Sequence, residues 1–328
     1  MSDRGNELED ESRRPFESGA ETRTERPKGR DDRSAAESGD GTESIPIDTP
    51  AEPEPGAGSD ATSPGPDRGP NAIRNWTVIT AALALVSALT AVAIVAIHGA
   101  AMPALGATAL GVGFAAIAAV SRTTVTDAVG VLADGWAEHR PYVWFATGLF
   151  GFGAIVGALL VAAGVDLTEL LLEMLLEEFD EEELAGGIEL SATFFITNNT
   201  PPFLAAIGGA LTLGFVTAVI MLFNGVLIGN LVVAIGLETG IGPIIALIVP
   251  HGIFELPALF VAAGVGFRLL HRAGQRIAGT RDALFTRAYL VRTGALVVFG
   301  WLLLVLAAFV EAYLTVPIAE LFFPEQAG

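Results

Sequence analysis

Apolar runs without a charged residue fill Trp76 to Ile97, Pro103 to Val120 and Tyr142 to Val165. About 20 apolar residues carry a helix across the hydrocarbon core, so each run predicts a membrane span. Ser121 to Arg140 reads as a polar connection between the second and third. Past Val165 the pattern changes: Asp166, Glu169, Glu173, Glu177 and Asp180 recur at steps of three and four residues among leucines. That spacing predicts an amphipathic helix with an acidic stripe over about 166–185, too charged to span and suited to a membrane surface. From Leu190 to Phe267 no Lys or Arg occurs. Hydropathy offers spans near Phe203 to Met221 and Ile241 to Val265, with a shorter stretch at Val226 to Ile235. A basic connection, Arg268 to Arg292, leads into a last span from about Thr293 to Tyr313. Alternating strand patterns are absent, and in lipid every backbone polar group must be satisfied within its own segment. The fold class expected is all-α: a polytopic transmembrane helical bundle of about five to seven segments.

Arginine positions orient the bundle. The connection holds Arg268, Arg272, Arg276, Arg281, Arg287 and Arg292, while the acidic helix has no basic residue. By the positive-inside rule the connection is cytoplasmic and the acidic helix external, with the amino terminus inside. The chain must then cross an odd number of times between residues 190 and 268. Two simple spans give the wrong parity, which predicts a discontinuous or re-entrant element between Asn224 and Gly264.

Residues 1–74 hold eighteen Asp/Glu and ten Arg/Lys with many Pro, Gly and Ser. They cannot bury a core and are expected to form a disordered cytoplasmic tail ahead of a transmembrane domain over 75–328. Over the whole chain the formal net charge is −19, 52% of residues are hydrophobic, and Lys28 is the single lysine. Carboxylate-rich, lysine-poor surfaces suit high salt and point to a halophilic archaeon. So acidic a chain leaves no basic patch for nucleic acid. With no cysteine, disulfides and thiolate chemistry are excluded.

Ionisable residues inside apolar spans are costly and mark function by default, which singles out "IVPHGIFELPAL", Ile248 to Leu259. Pro250 fits the first turn of a helix, placing His251 and Glu255 one turn apart on one face around Gly252. Pro257 removes a donor and frees the Ile253 carbonyl, predicting a kink. Asn198 and Asn199 precede Thr200-Pro201, which reads as an N-cap and first turn. Asn224 flanks, and Asn230 follows, the Gly225/Gly229 pair, a G-x-x-x-G like Gly153/Gly157 that lets helix backbones approach. These groups could form a structural hydrogen-bonded network, an ion site or, least favoured, a catalytic site. A zinc peptidase needs H-E-x-x-H, whereas the order here is H-x-x-x-E with one histidine. No metal site, cofactor or complete catalytic motif is read.

The strings "NN" before a glycine-rich span, "NGVLIG" and "PHGIFELPA" resemble the stage II sporulation protein M family. The match rests on Asn198, Asn199, Gly209, Asn224, Gly225, Gly229, Pro250, His251, Gly252, Glu255, Pro257 and Ala258, and covers roughly residues 140–315. The resemblance implies a non-enzymatic, multi-pass cell-membrane protein. In spore-forming bacteria the family anchors partners that remodel peptidoglycan during engulfment of the forespore. For this chain it implies a scaffold for membrane or cell-envelope proteins within the lipid bilayer, with homo-oligomers open to it. A small transporter or channel component built on His251 and Glu255 is the alternative, and an intramembrane hydrolase a distant third.

Overall fold

The computed structural model describes residues 69–120, 128–176 and 190–324. Residues 1–68 of the expected tail and 177–185 of the expected acidic helix lie outside them, while Ala72 to Arg74, expected in the tail, already belong to the first helix. Helix α1 spans Ala72–Ala93, α2 Ala101–Val120, α3 Ala128–Ala162, α4 Thr168–Leu176, α5 Ala192–Gly208, α6 Phe215–Thr239, α7 Ile241–Ile277, α8 Arg287–Val310 and α9 Val316–Phe322. Wide π turns at Ile94–His98 and Glu311–Thr315 extend α1 and join α8 to α9. No strand occurs among the described residues. Among the described residues six helices are long and apolar enough to cross a membrane: Ala72–His98, Ala101–Ala119, Ala128–Ala162, Phe215–Thr239, Ile241–Ile277 and Arg287–Phe322.

Hydroxyls on these helices bond back to their own turns, as an apolar surround requires. Thr80 Oγ1 donates to the Trp76 carbonyl at 2.9 Å and Ser87 Oγ to that of Leu83 at 2.8 Å. Aromatic edges join the buried faces: Trp76 meets Phe299 at 5.0 Å between ring centroids, and Phe114 meets Phe299 at 6.1 Å.

Helices α3 and α6 lie backbone to backbone. Gly153 abuts the Leu222 carbonyl, Gly157 that of Val226, Gly225 that of Phe150 and Gly229 that of Ala154, so a Cβ at any of the four would collide with a main chain. The numbers rise together, so the two helices run parallel. Helix α7 runs the opposite way: Phe150 meets Phe260, Phe145 meets Phe267 and Tyr142 meets His271, so the numbers fall on one helix as they rise on the other. Helix α8 runs against α7, with Arg272 over Tyr289, Val261 beside Gly300 and His251 beside Thr315 in the π turn that follows, and so runs with α3.

Parallel α3 and α6 require a return crossing between them, and α5 makes it. Its 17 residues end beside Gly266, whose Cα faces the Ala206 and Ile207 carbonyls, while elsewhere it packs against Glu311–Thr315. An α-helix of that length covers about 26 Å, and the 3₁₀ turn Gly209–Thr212 extends it. Residues 190–268 therefore hold three helices in alternating directions, the odd number that the arginine pattern demands. The expected re-entrant element between Asn224 and Gly264 is corrected: α6 and α7 are continuous there, joined by Gly240 in the left-handed region at φ 85°. The third crossing lies earlier, in α5.

Three further boundaries differ from expectation. Thr200-Pro201 does not start a helix: Ser191 caps α5, its Oγ accepting the Phe194 amide at 3.3 Å, and Pro201 and Pro202 sit inside it. Thr200 Oγ1 instead donates backward to the Ile196 carbonyl at 2.6 Å. Pro250 is not in a first turn, because α7 begins nine residues earlier at Ile241 and continues through both Pro250 and Pro257. The polar connection before Tyr142 is helical from Ala128, and α3 runs through Pro141. Its polar side chains have buried partners. Glu138 Oε1 accepts from Arg268 Nη2 at 2.9 Å and Arg272 Nη1 at 3.3 Å, and its Oε2 lies 3.5 Å from Arg292 Nη2. Arg272 also stacks over Tyr289, 3.7 Å from the ring centroid. This arginine-rich node ties α3, α7 and α8 together at one end of the bundle. At the other end α4 starts where the Thr168 hydroxyl and amide both donate to Asp166 Oδ1 (2.6 and 2.8 Å), holding that carboxyl below the usual carboxylate range.

Candidate functional site

His251 lies ten residues along α7, about 15 Å from its start, and Glu255 one turn further. Thirteen residues, or about 20 Å, then separate Glu255 from Arg268 at the arginine-rich end. The pair therefore sits near the middle of a layer about 30 Å thick. Opposite it stands the π turn Glu311–Thr315. One ligand atom each from His251, Glu255 and Glu311 can be chosen so that all three lie within 4.8 Å of one another. His251 and Glu311 keep 16% and 22% of their side-chain surface, so the centre is enclosed yet reachable.

Hydrogen bonds fix the imidazole. Thr315 Oγ1 donates to the Val310 carbonyl at 3.3 Å, which commits its proton and leaves a lone pair for His251 Nδ1 at 3.4 Å. In the tautomer that this arrangement favours, Nδ1 donates to Thr315 Oγ1 and Nε2 turns its lone pair toward Glu311 Oε1, 3.9 Å away. That separation is too long for a hydrogen bond and leaves room between two acceptors. A π turn of this kind recurs at functional sites because it interrupts the regular ladder. Here His98 Nε2 donates to the Tyr313 carbonyl at 2.8 Å, bracing the turn from α1.

The other residues singled out by sequence are held elsewhere. Gly225 and Gly229 form the α3–α6 contact. Asn224 Nδ2 donates to the Ile220 carbonyl of its own helix at 2.8 Å. Asn230 is fully buried, its Oδ1 accepting the Leu167 amide at 2.8 Å while Nδ2 donates to the Val165 and Gly157 carbonyls at 3.0 and 3.2 Å. Asn198 and Asn199 ride half-buried on α5. Gly252 is buried within α7, and Pro257 lines a flank groove of about 670 Å³ with Trp76, Trp136, Phe254 and Phe299. The asparagines thus do not join His251 and Glu255 in one network. Glu311 and Thr315 do, and sequence reasoning did not name them, although Glu311 is a carboxylate inside the predicted last span and carried that signal.

A helical bundle with imidazole and carboxylates gathered at mid-depth defines a multi-pass α-helical membrane protein with an intramembrane polar centre. The chain belongs to the stage II sporulation protein M family, whose sequence pattern matches residues 146–316. Over 148 residues it is 29% identical to an uncharacterized protein of Methanocaldococcus jannaschii, a stretch covering 44% of this chain and 83% of that one. No solved structure matches it. The family segment contains His251, Glu255, Glu311 and both glycine pairs, while α1, α2 and Glu138 precede it.

Proposed function

We propose that the protein is a membrane transporter or channel component that takes a cation or proton at the His251–Glu255–Glu311 centre. The observation that carries this reading is the convergence of three ionisable side chains from two helices at mid-membrane depth. An unpaired charge there is expensive, and such residues mark ion and proton pathways. The partly exposed His251 and Glu311 offer entry. In proteoliposomes under an imposed potential, the wild type is expected to admit protons or a divalent cation, read with pH- and metal-sensitive dyes. His251→Gln and Glu311→Gln, eluting as folded protein, are expected to fall to a tenth of that flux or less. Equal flux in all three proteins would sink the reading.

A second reading is a non-enzymatic scaffold that anchors membrane or cell-envelope partners, as the family resemblance implies. Favouring it, the bundle is locked by main-chain contact between α3 and α6 and by the Glu138 node, and it presents an aromatic groove on its flank. Absence of any flux in folded wild type would leave this reading in place. Both readings put the chain in the cell membrane with a cytoplasmic amino terminus, from the arginine bias.

A further inference from the structure

We propose that the His251–Glu255–Glu311 centre is a binding site for a first-row divalent metal ion of the zinc or manganese class. This deepens the reading of the centre as a cation site and rests on it. Three independent features support it.

The donor set is one imidazole nitrogen and two carboxylates, the mixed N/O set that borderline divalent ions prefer over magnesium or calcium, which favour oxygen alone. Its atoms come within 4.8 Å of one another, so small side-chain rotations bring all three onto one ion.

The second feature is charge. Two carboxylates face each other at mid-depth, and the arginines that pair with Glu138 lie some 20 Å away along α7, at the end of the bundle. A dication neutralises both carboxylates at once and takes the imidazole lone pair as a third ligand. The third is the tautomer. With the Thr315 proton on the Val310 carbonyl, His251 Nδ1 is the donor to Thr315 and the Nε2 lone pair faces a carboxylate oxygen 3.9 Å off. Two acceptors facing each other across that gap call for a metal ion or a proton between them, and the second carboxylate beside them favours the metal. Orientation of a metal-bound imidazole through its other nitrogen is how proteins hold such ligands, and Thr315 occupies that position.

Purified full-length protein in detergent, stripped with a chelator and loaded with zinc, tests the assignment. After desalting, about one zinc per chain is expected by elemental analysis, together with a higher unfolding temperature. His251→Gln, Glu255→Gln and Glu311→Gln are expected to retain a tenth or less, while Glu238→Gln, at the exposed end of α6, retains the wild-type amount. X-ray absorption should report nitrogen and oxygen neighbours only. Equal zinc in wild type and all variants, or none in a folded wild type, overturns the metal site. Proton flux that persists in a wild type unable to hold zinc would reject the metal while leaving the proposed function standing; zinc bound without flux would do the reverse.

Discussion

Asn224 and Asn230 stand six residues apart on α6 and contribute differently to the fold. Asn224 bonds within its own helix, so removing its amide leaves a carbonyl that already accepts a helical hydrogen bond. Asn230 joins three segments, and its loss strands the Leu167 amide and frees two carbonyls on α3 and the turn after it. A fully buried donor left without a partner costs about 1–3 kcal/mol, and the half-buried Leu167 amide falls at the lower end of that range. Asn230→Leu is therefore expected to lower the unfolding temperature in detergent clearly, and Asn224→Leu to change it little; the opposite order would refute this division of roles. At this scale the sequence was legible in part. His251 and Glu255 could be read together because four residues set them on one helix face. Glu311 could not be paired with them, since no local spacing says which turn of a helix 56 residues later will face them. The same holds for Glu138, whose arginine partners follow 130 or more residues on.

At the scale of elements, helix packing turns on four positions where main chains touch. Gly157 and Gly229 each lie against a carbonyl on the partner helix, so a methyl group there forces α3 and α6 apart. Overpacking of this kind costs about 1–3 kcal/mol. Gly157→Ala is expected to destabilise by that amount, while Gly151→Ala, with nothing within 4 Å of its added Cβ, should leave stability unchanged or raise it slightly through helix propensity. Thermal unfolding of both variants in one detergent decides it. Hydropathy found α1, α2, α7, α8 and the apolar part of α3, but it set a span at Phe203 to Met221 across the turn between α5 and α6 and left Val226 to Ile235 as a short stretch of what is one helix, Phe215–Thr239. It misplaced α5 and the start of α3 for related reasons. Pro201-Pro202 imitates a helix start, yet the freed carbonyls of Thr197 and Asn198 can be tolerated inside a packed helix. The polar stretch before Tyr142 imitates a loop, yet Glu138 is half-buried among arginines and His139 fully buried, its Nδ1 donating to the Gly135 carbonyl at 2.7 Å.

For the whole molecule, direction is the main consequence of the packing. Parallel α3 and α6, with α7 antiparallel and α8 parallel to α3, put the α5–α6 turn and the α7–α8 connection at one end and Val165 at the other. The arginine count called for an odd number of crossings, and the three alternating helices between residues 190 and 268 are compatible with it, although α5 is shorter than the six candidate spans. It could not say which segment supplied the extra crossing, since α5 is shorter than an ordinary span. The cysteine-free chain allows a direct check. Single cysteines at Leu211 and Asp282 are expected to react with an impermeant thiol reagent from the same side of sealed membrane vesicles, and a cysteine at Val165 from the opposite side. Leu211 is 88% exposed in the turn after α5, so no protein packing shields it from the reagent. If Leu211 reacts from the Val165 side, α5 does not cross, α6 begins on the acidic side, and its parallel packing against α3 cannot be maintained within one bilayer.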